Sequence, residues 1–213
     1  MRHIEKTEPP KEFEEYCKTP GVCYEGLDGE PKHALRKRLL DDQGYLCCYC
    51  GCRIMDNNQT KIEHIKCQER YGYLSLDFNN MLASCDGGEL DRSKRIRPKH
   101  QCHCDVKKSD RDIPLSPLDN EIESLFTYFD DGTVKGTGDG KDLIEILGLN
   151  VNYLVSKRKS VFQAYKDNPP DDFHAELMRL KSKRNGEFEE FCFALEQYIK
   201  MQITDYQELG VAI

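Results

Sequence analysis

Long apolar runs are absent from this chain of 213 residues. No stretch approaches the about 18 to 20 apolar residues that a membrane-spanning helix needs, and the opening MRHIEKTEPPKEF lacks the apolar segment of a secretory signal. We therefore expect a soluble, cytoplasmic protein without membrane contact. The chain also has no excess of positive charge. It contains 31 lysines and arginines and 38 aspartates and glutamates, for a net charge of −7. That balance argues against a protein that coats nucleic acid through bulk charge.

Cysteine, by contrast, is abundant, with 11 residues. In a reducing compartment, a high and odd count of cysteines predicts metal ligands, together with some cysteines that bind no metal, rather than a disulfide framework. Eight of the cysteines fall between residues 45 and 112, which predicts a metal-organised module there. The isolated cysteines are expected to be small buried apolar groups: Cys17, Cys23, Cys67 and Cys192.

The motif LCCYCG contains the first predicted zinc-binding pair, Cys47 and Cys50, followed by Gly51. A tetrahedral zinc ion takes two thiolates from one tight turn, and the following glycine relieves the backbone of that turn. Cys48 and Cys52 cannot form a C-x-x-C pair with either neighbour. We therefore expect both to lie outside the zinc site.

The second half of the zinc site is expected to come from Cys85 together with Cys102 or Cys104. Four sulfurs would close a structural site and leave no open position for catalysis. The spacing alone leaves both choices for the fourth ligand open. The competing interpretation is a set of buried or redox-active cysteines without a metal.

Composition divides the chain into residues 1–44, 45–112 and 113–213. The first is an arm and a helix, the second the cysteine module, and the third a β-hairpin around Asp131 and Gly132 followed by helices. Hydrophobic periodicity and helix-stop residues predict helices at about 12–18, 31–43, 139–148, 151–167, 171–183 and 187–203. We therefore expect an α+β protein that is mainly α.

Between the cysteine pairs, residues 53–55 and 61–65 are predicted to form a β-hairpin that carries Glu63 and His64 on its second strand. Adjacent strand residues point to opposite faces, so both serve one site only if the strand ends or twists there. A lone histidine is usually structural. An acid followed by histidine inside a zinc frame is less common and indicates a candidate site.

A basic strip, RSKRIRPK, follows the third zinc cysteine. Taken alone, such a charge run favours a solvated loop, and the alternative is a local contact with nucleic acid phosphates. The cations of this strip are Arg92, Lys94, Arg95, Arg97 and Lys99.

The segments LCCYC, IEHI, LDFNNMLASC and HCDVKK, in this order, resemble an HNH nuclease of the ββα-metal class with a zinc-binding frame. Over more of the chain, the sequence is similar to the HNH endonuclease subunit of Septu-type and retron-associated anti-phage systems, the PtuB-like family. The motifs cover about residues 45–112. The resemblance implies a zinc-bound ββα-metal module between an N-terminal arm and a helical C-terminal region.

In HNH nucleases, the acid-histidine pair supplies a metal ligand and a general base. The resemblance therefore implies these roles for Glu63 and His64. The middle asparagine of the motif steadies the loop and the histidine. Asn80 is the best match for this position, with Asn79 as the second choice.

The final HNH position directly follows the last zinc cysteine and supplies a second metal ligand, with a lysine three residues later. Asp105 and Lys108 fit this pattern if Cys104 is that cysteine, so the resemblance favours Cys104 over Cys102. The family more often has aspartate at Glu63 and asparagine or histidine at Asp105, but both carboxylates suit Mg²⁺ or Mn²⁺. Lys108 is expected to contact DNA together with the basic strip.

The resemblance also implies a partner, an ABC or SMC-like ATPase that restrains or licenses the nuclease in a prokaryotic cytoplasm. Residues 1–29 and the helices after about Ile113 are expected to dock on it. The alternative is a zinc-stabilised module that binds nucleic acid or protein without cutting.

Overall fold

The computed structural model describes residues 1–89 and 99–208. Within these ranges, the chain is an α+β protein with more helix than strand, as predicted. The backbone of Lys99 is described but its side chain is not. The other residues of the predicted basic strip lie outside the described residues: Arg92, Lys94, Arg95 and Arg97.

Helices account for most of the regular structure in the described ranges. The α-helices are α1 (Lys11–Lys18), α2 (Gly29–Gln43), α3 (Cys104–Lys108), α4 (Gly140–Leu147), α5 (Asn152–Asp167), α6 (Phe173–Leu180) and α7 (Cys192–Glu208). The strands are β1 (Thr60–His64), β2 (Met81–Cys85), β3 (Phe126–Tyr128) and β4 (Val134–Gly136). They form two separate antiparallel pairs, β1 with β2 and β3 with β4.

Helix ends follow local sequence signals. Gly44 and Gly148 end α2 and α4 in the left-handed conformation, as expected of glycine after a helix. The Asp172 carboxylate caps α6 by accepting from two backbone N–H groups. The helix α7 begins at Cys192, later than predicted, because the preceding Phe191 has a φ of 58° that an α-helix does not allow.

The predicted pairing of residues 53–55 with 61–65 is wrong. Arg53 forms an isolated antiparallel bridge with Leu46, because the cysteine turn between them folds the chain back on itself. The partner of β1 is β2, which lies further along the chain.

The β1–β2 pair places the predicted acid and histidine at the end of a strand. Thr60 lies opposite Cys85, and His64 lies opposite Met81. His64 is the last residue of β1, so the strand ends at the position where it must end or twist if both side chains are to serve one site. Glu63 and His64 are both buried, with 4% and 6% of their surfaces exposed.

The predicted hairpin around Asp131 and Gly132 is confirmed as β3 and β4. The Asp131 carboxylate accepts hydrogen bonds from the backbone N–H and hydroxyl of Thr133 at 2.8 and 2.7 Å. Gly132 has a φ of 88°, and a Cβ atom there would lie 2.2 Å from the Val155 carbonyl oxygen. Glycine therefore allows α5 to approach the turn.

The predicted arm packs against the rest of the chain. Met1, Ile4, Phe13 and Leu27 are buried and belong to the same hydrophobic core as residues of the cysteine module and the C-terminal helices. The Lys6 side chain donates hydrogen bonds to the carbonyl of Phe78, before β2, and to that of Met81, the first residue of β2. None of the helices in residues 1–89 and 99–208 is long and apolar enough to cross a bilayer.

Candidate functional site

Four cysteine side chains converge where the LCCYCG turn meets β2 and α3. The sulfurs of Cys47 and Cys104 lie 3.8 Å apart, and those of Cys50 and Cys85 lie 3.9 Å apart. All four sulfurs lie within 4.8 Å of one another. Four sulfurs at about 2.3 Å from a tetrahedral zinc ion stand about 3.8 Å apart. The cluster could therefore hold a metal ion and is compatible with structural zinc.

The backbone near each cysteine explains why the sulfurs meet. Gly51, with a φ of 75°, closes the turn by donating its N–H to the Cys47 carbonyl at 3.1 Å. Cys85 is the last residue of β2, and its N–H donates to the Cys47 sulfur at 3.3 Å. Cys104 is the first residue of α3. A turn, a strand end and a helix start thus supply the cluster.

A close backbone approach brings α3 to the end of β2. Gly87 has a φ of 58°, and a Cβ atom there would lie 2.0 Å from the His103 carbonyl oxygen. The His103 N–H donates to the Gly87 carbonyl at 3.0 Å. Only glycine allows this contact, which helps to hold Cys85 and Cys104 on the same side of the cluster.

The geometry also distinguishes the two candidates for the fourth position. The sulfur of Cys104 belongs to the cluster, whereas Cys102 is buried outside it. Cys48 and Cys52 are buried outside the cluster as well. The residue immediately after the last cluster cysteine is therefore Asp105.

The isolated cysteines follow the prediction in part. Cys67 and Cys192 are buried, as expected of small apolar side chains. Cys17 is half-buried and Cys23 is exposed. The prediction for Cys23 is wrong, because this residue lies in the surface segment that joins α1 to α2.

Two residues near the cysteines were overlooked in the sequence. The His103 Nδ1 atom lies 3.2 Å from the Cys104 sulfur and 3.8 Å from the Cys85 sulfur. Its position between Cys102 and Cys104 in the sequence could have indicated that it lies near the cysteine cluster. Gln43 is buried at the end of α2, and its side chain bonds the Leu46 carbonyl and both backbone groups of Ala83 at 2.7 Å. No local sequence pattern indicates this clamp between the cysteine turn and β2.

Glu63 is held by two buried donors. The Lys108 ammonium group lies 2.8 Å from the Glu63 carboxylate, and the Tyr49 hydroxyl donates to the same oxygen at 2.9 Å. Lys108 also donates to the His64 carbonyl at 2.9 Å. Its side chain is 2% exposed, so the expectation that Lys108 contacts DNA is wrong in this structure. A buried ammonium group needs such partners because an isolated charge is costly in the interior.

Asp105 lies beside Glu63. It is the second residue of α3, half-buried, and burial together with the Glu63 carboxyl raises the pKa of Asp105 to about 8. Two carboxyl groups at close range disfavour a second negative charge and favour a nearby cation. Oxygen atoms of this type are the ligands that Mg²⁺ and Mn²⁺ prefer.

His64 is fixed in one orientation by hydrogen bonds to both ring nitrogens. Its Nε2 lies 3.0 Å from the Ser75 carbonyl, which can only accept, so Nε2 carries the proton. Its Nδ1 then bears the lone pair and accepts from the Gln68 amide at 3.2 Å. Burial lowers the pKa of His64 below its ordinary value, so the imidazole is neutral at pH 7.

Asn80 organises the loop that follows His64. Its side-chain oxygen accepts from the Lys66 N–H at 2.8 Å, and its amide donates to the carbonyls of Lys66 and Leu74 at 3.0 and 3.2 Å. Asn80 is 5% exposed, whereas the side chain of Asn79 is exposed. The geometry therefore places Asn80, and not Asn79, at the loop.

Tyr24, from the segment between α1 and α2, covers the site and was overlooked in the sequence. Its ring meets the His64 ring edge-on, with centroids 4.5 Å apart. Burial, followed by the charges of Asp105 and Glu63, raises the pKa of Tyr24 to about 12. The four residues predicted for the active site thus lie in one region: Glu63, His64, Asn80 and Asp105.

No family model matches the chain, and its sequence matches none of the curated proteins.

Proposed function

We propose that this protein is a metal-dependent HNH endonuclease that hydrolyses DNA phosphodiester bonds. The observation that carries the proposal is the convergence of His64 and Glu63, at the end of β1, with Asp105, directly after a cluster cysteine. The order of β1, β2 and α3 around the cysteine cluster supports a zinc-bound ββα-metal module. The resemblance of the motifs to HNH nucleases supports the same conclusion.

The residues divide the work of hydrolysis between them. Because Ser75 fixes the proton on Nε2, Nδ1 of His64 is the atom that takes a proton from water. Gln68 must release Nδ1 before water reaches it. Asn80 keeps the Ser75 end of the loop in place through its bond to Leu74. Burial keeps His64 neutral, as a general base requires.

Glu63 and Asp105 would hold the catalytic Mg²⁺ or Mn²⁺. When bound, such an ion would stabilise the negative charge that develops on the phosphate and on the leaving oxygen. Asp105 is the more adaptable ligand because it is half-buried and contacts Glu63. The structural zinc would take no part in chemistry. It would stabilise a small hairpin-helix unit that has little core of its own.

Cleavage of supercoiled plasmid by purified protein tests this proposal. We expect nicking that requires Mg²⁺ or Mn²⁺ and is lost in His64→Ala. Asn79→Ala is the matched control, because Asn79 is exposed on the same module. Equal nicking by wild type and His64→Ala would show that the cleavage does not come from this site.

A second candidate function is a zinc-stabilised module that binds nucleic acid or protein without cutting. The observation that favours it is the buried pair of Lys108 and Glu63, which neutralises one of the two carboxylates without a metal. In that case His64 is a structural residue that ties the loop to β1. Cleavage by neither wild type nor the wild type mixed with its partner would favour this candidate.

The partner in the proposal is an ABC or SMC-like ATPase, with anti-phage defence as the biological role. The acidic chain gains little long-range attraction to DNA, so delivery by another subunit would compensate. The surface for docking would include α1 and the C-terminal helices, where Met178 and Met201 are 66% and 44% exposed. Size-exclusion chromatography of the mixed proteins tests this partnership. Separate elution of the two proteins would contradict it.

A further inference from the structure

Tyr73 is an aromatic side chain with no place in the core. It is 81% exposed, more than any other exposed large hydrophobic residue in the described ranges. It lies in a short 3₁₀ turn, Gly72–Leu74, within the loop between β1 and β2. A ring this exposed contributes little to folding stability through burial. Its ring is therefore available to a ligand at the surface.

The loop holds this ring in a defined place. Tyr71 lies next to it, with ring centroids 6.4 Å apart and an interplanar angle of 67°. The Tyr71 hydroxyl donates to the Asp112 carboxylate at 3.2 Å, which anchors the loop to the segment after α3. Asn80 anchors the other side through the Leu74 carbonyl. Tyr73 is thus an exposed ring on a supported turn.

The same loop orients the candidate general base. The Ser75 carbonyl, two residues after Tyr73, accepts the hydrogen bond from His64 Nε2 at 3.0 Å. Gln68, on the other side of the turn, contacts His64 Nδ1 at 3.2 Å. Tyr73 therefore lies two residues from the carbonyl that orients His64.

One cation of the loop is placed to meet a phosphate group. The Lys66 ammonium group lies 5.6 Å from the Tyr71 ring centroid, and within residues 1–89 and 99–208 no carboxylate pairs with it. Arg70 is half-exposed and pairs with Asp112 at 3.2 Å. Lys66 and Arg70 are matched in number by Glu69 and Asp77, so the loop between β1 and β2 carries no net charge, and Lys66 is the cation that a phosphate would meet.

We propose that Tyr73 is a stacking platform for an unpaired base of DNA next to the bond that His64 attacks. This inference deepens the proposed function and depends on it for the position of the cut. Every base has a flat face that stacks on a tyrosine ring, whereas bases inside a duplex are already stacked on one another. The preferred substrate is therefore single-stranded or locally opened DNA rather than an intact duplex.

Fluorescence anisotropy with a labelled single-stranded oligodeoxynucleotide tests the platform. All variants carry His64→Ala, so that binding is measured without cleavage, and the same oligonucleotide in duplex form is the second probe. Tyr73→Ala removes the ring, Tyr73→Phe keeps it, and Met55→Ala removes a different exposed side chain, 55% exposed. Stacking of one base predicts about a tenfold weaker affinity of Tyr73→Ala for the single strand.

The expected pattern is loss with Tyr73→Ala, near-normal binding with Tyr73→Phe and Met55→Ala, and weaker binding of the duplex to all four proteins. Equal affinity of the parent and Tyr73→Ala for the single strand would overturn the platform, as would the absence of single-strand binding. The plasmid assay separates the two proposals. Nicking that depends on His64 but not on Tyr73 would leave the nuclease proposal standing and remove the platform. Tyr73-dependent binding without cleavage would remove the nuclease proposal and its cut site.

Discussion

The ammonium group of Lys108 lies 2.8 Å from the carboxylate of Glu63, and both side chains are almost fully buried. The pair joins the end of β1 to the end of α3. A buried ion pair stabilises a fold only when its charges are well compensated, and removal of one partner leaves the other uncompensated. A DNA contact was expected for Lys108 from the sequence. In the structure, its side chain is instead buried against Glu63.

We predict that Lys108→Met lowers the free energy of unfolding by about 3 to 5 kcal/mol, because Glu63 would remain buried without its cation. Urea unfolding of the zinc-loaded protein measures the change. The double variant Glu63→Gln, Lys108→Met is the matched control and should recover much of the loss, because both charges are gone. A single variant as stable as wild type would mean that the pair contributes nothing.

This pair also changes the choice of variants for the active site. Glu63→Ala would leave the Lys108 ammonium group buried without its carboxylate, so loss of cleavage could reflect loss of folding. Glu63→Gln also removes the charge, but it keeps the shape of the side chain and an oxygen that can accept from Lys108, so it is the better test.

Zinc content provides the second prediction. We expect about one zinc ion per chain in wild type and in Cys102→Ser, and loss of zinc in Cys104→Ser. Of these two cysteines, Cys104 has its sulfur in the cluster and Cys102 does not. Atomic absorption of the purified variants measures the content. Full zinc in Cys104→Ser with loss in Cys102→Ser would reverse the assignment.

Asn80 and Asn79 form a natural pair for the third prediction. Asn80→Ala would remove three hydrogen bonds that hold the loop after His64, at about 1 kcal/mol each or more where a buried group is left unpaired. We expect at least tenfold slower plasmid nicking with the zinc content unchanged. Asn79→Ala should behave as wild type. Similar rates for the two variants would show that the loop does not position His64.

The fourth prediction concerns pH. Burial lowers the pKa of Lys6 to about 7, from an ordinary value of 10.5. Between these values the unfolded chain binds a proton at Lys6 that the folded protein lacks, so this group makes the free energy of unfolding rise with pH. The neutral amine still has two N–H donors for the carbonyls of Phe78 and Met81.

Denaturant unfolding of wild type and Lys6→Met from pH 7 to pH 9.5 measures this contribution. We expect the stability of wild type relative to Lys6→Met to rise across the range. Lys11→Met, which alters an exposed lysine on α1, should follow wild type in its pH dependence. Parallel curves for wild type and Lys6→Met would contradict the buried position of this amine.

Several features of this protein were predictable from short stretches of sequence. Gly44 and Gly148 end helices because glycine accepts the left-handed backbone that follows a helix. The turn at Asp131 and Gly132 and the pair in LCCYCG depend on neighbouring residues only. Such features follow from local backbone energies, which the sequence by itself determines.

The tertiary structure decided the relationships between distant segments. It paired β1 with β2 rather than with residues 53–55, brought the Cys104 sulfur into the cluster, and turned Lys108 inward to Glu63. Each of these outcomes depends on how the buried groups of several segments satisfy one another at the same time. A strand pattern shows that a strand exists but not which partner completes its hydrogen bonds. In the same way, a lysine in the sequence does not show whether its side chain will pair with a buried carboxylate.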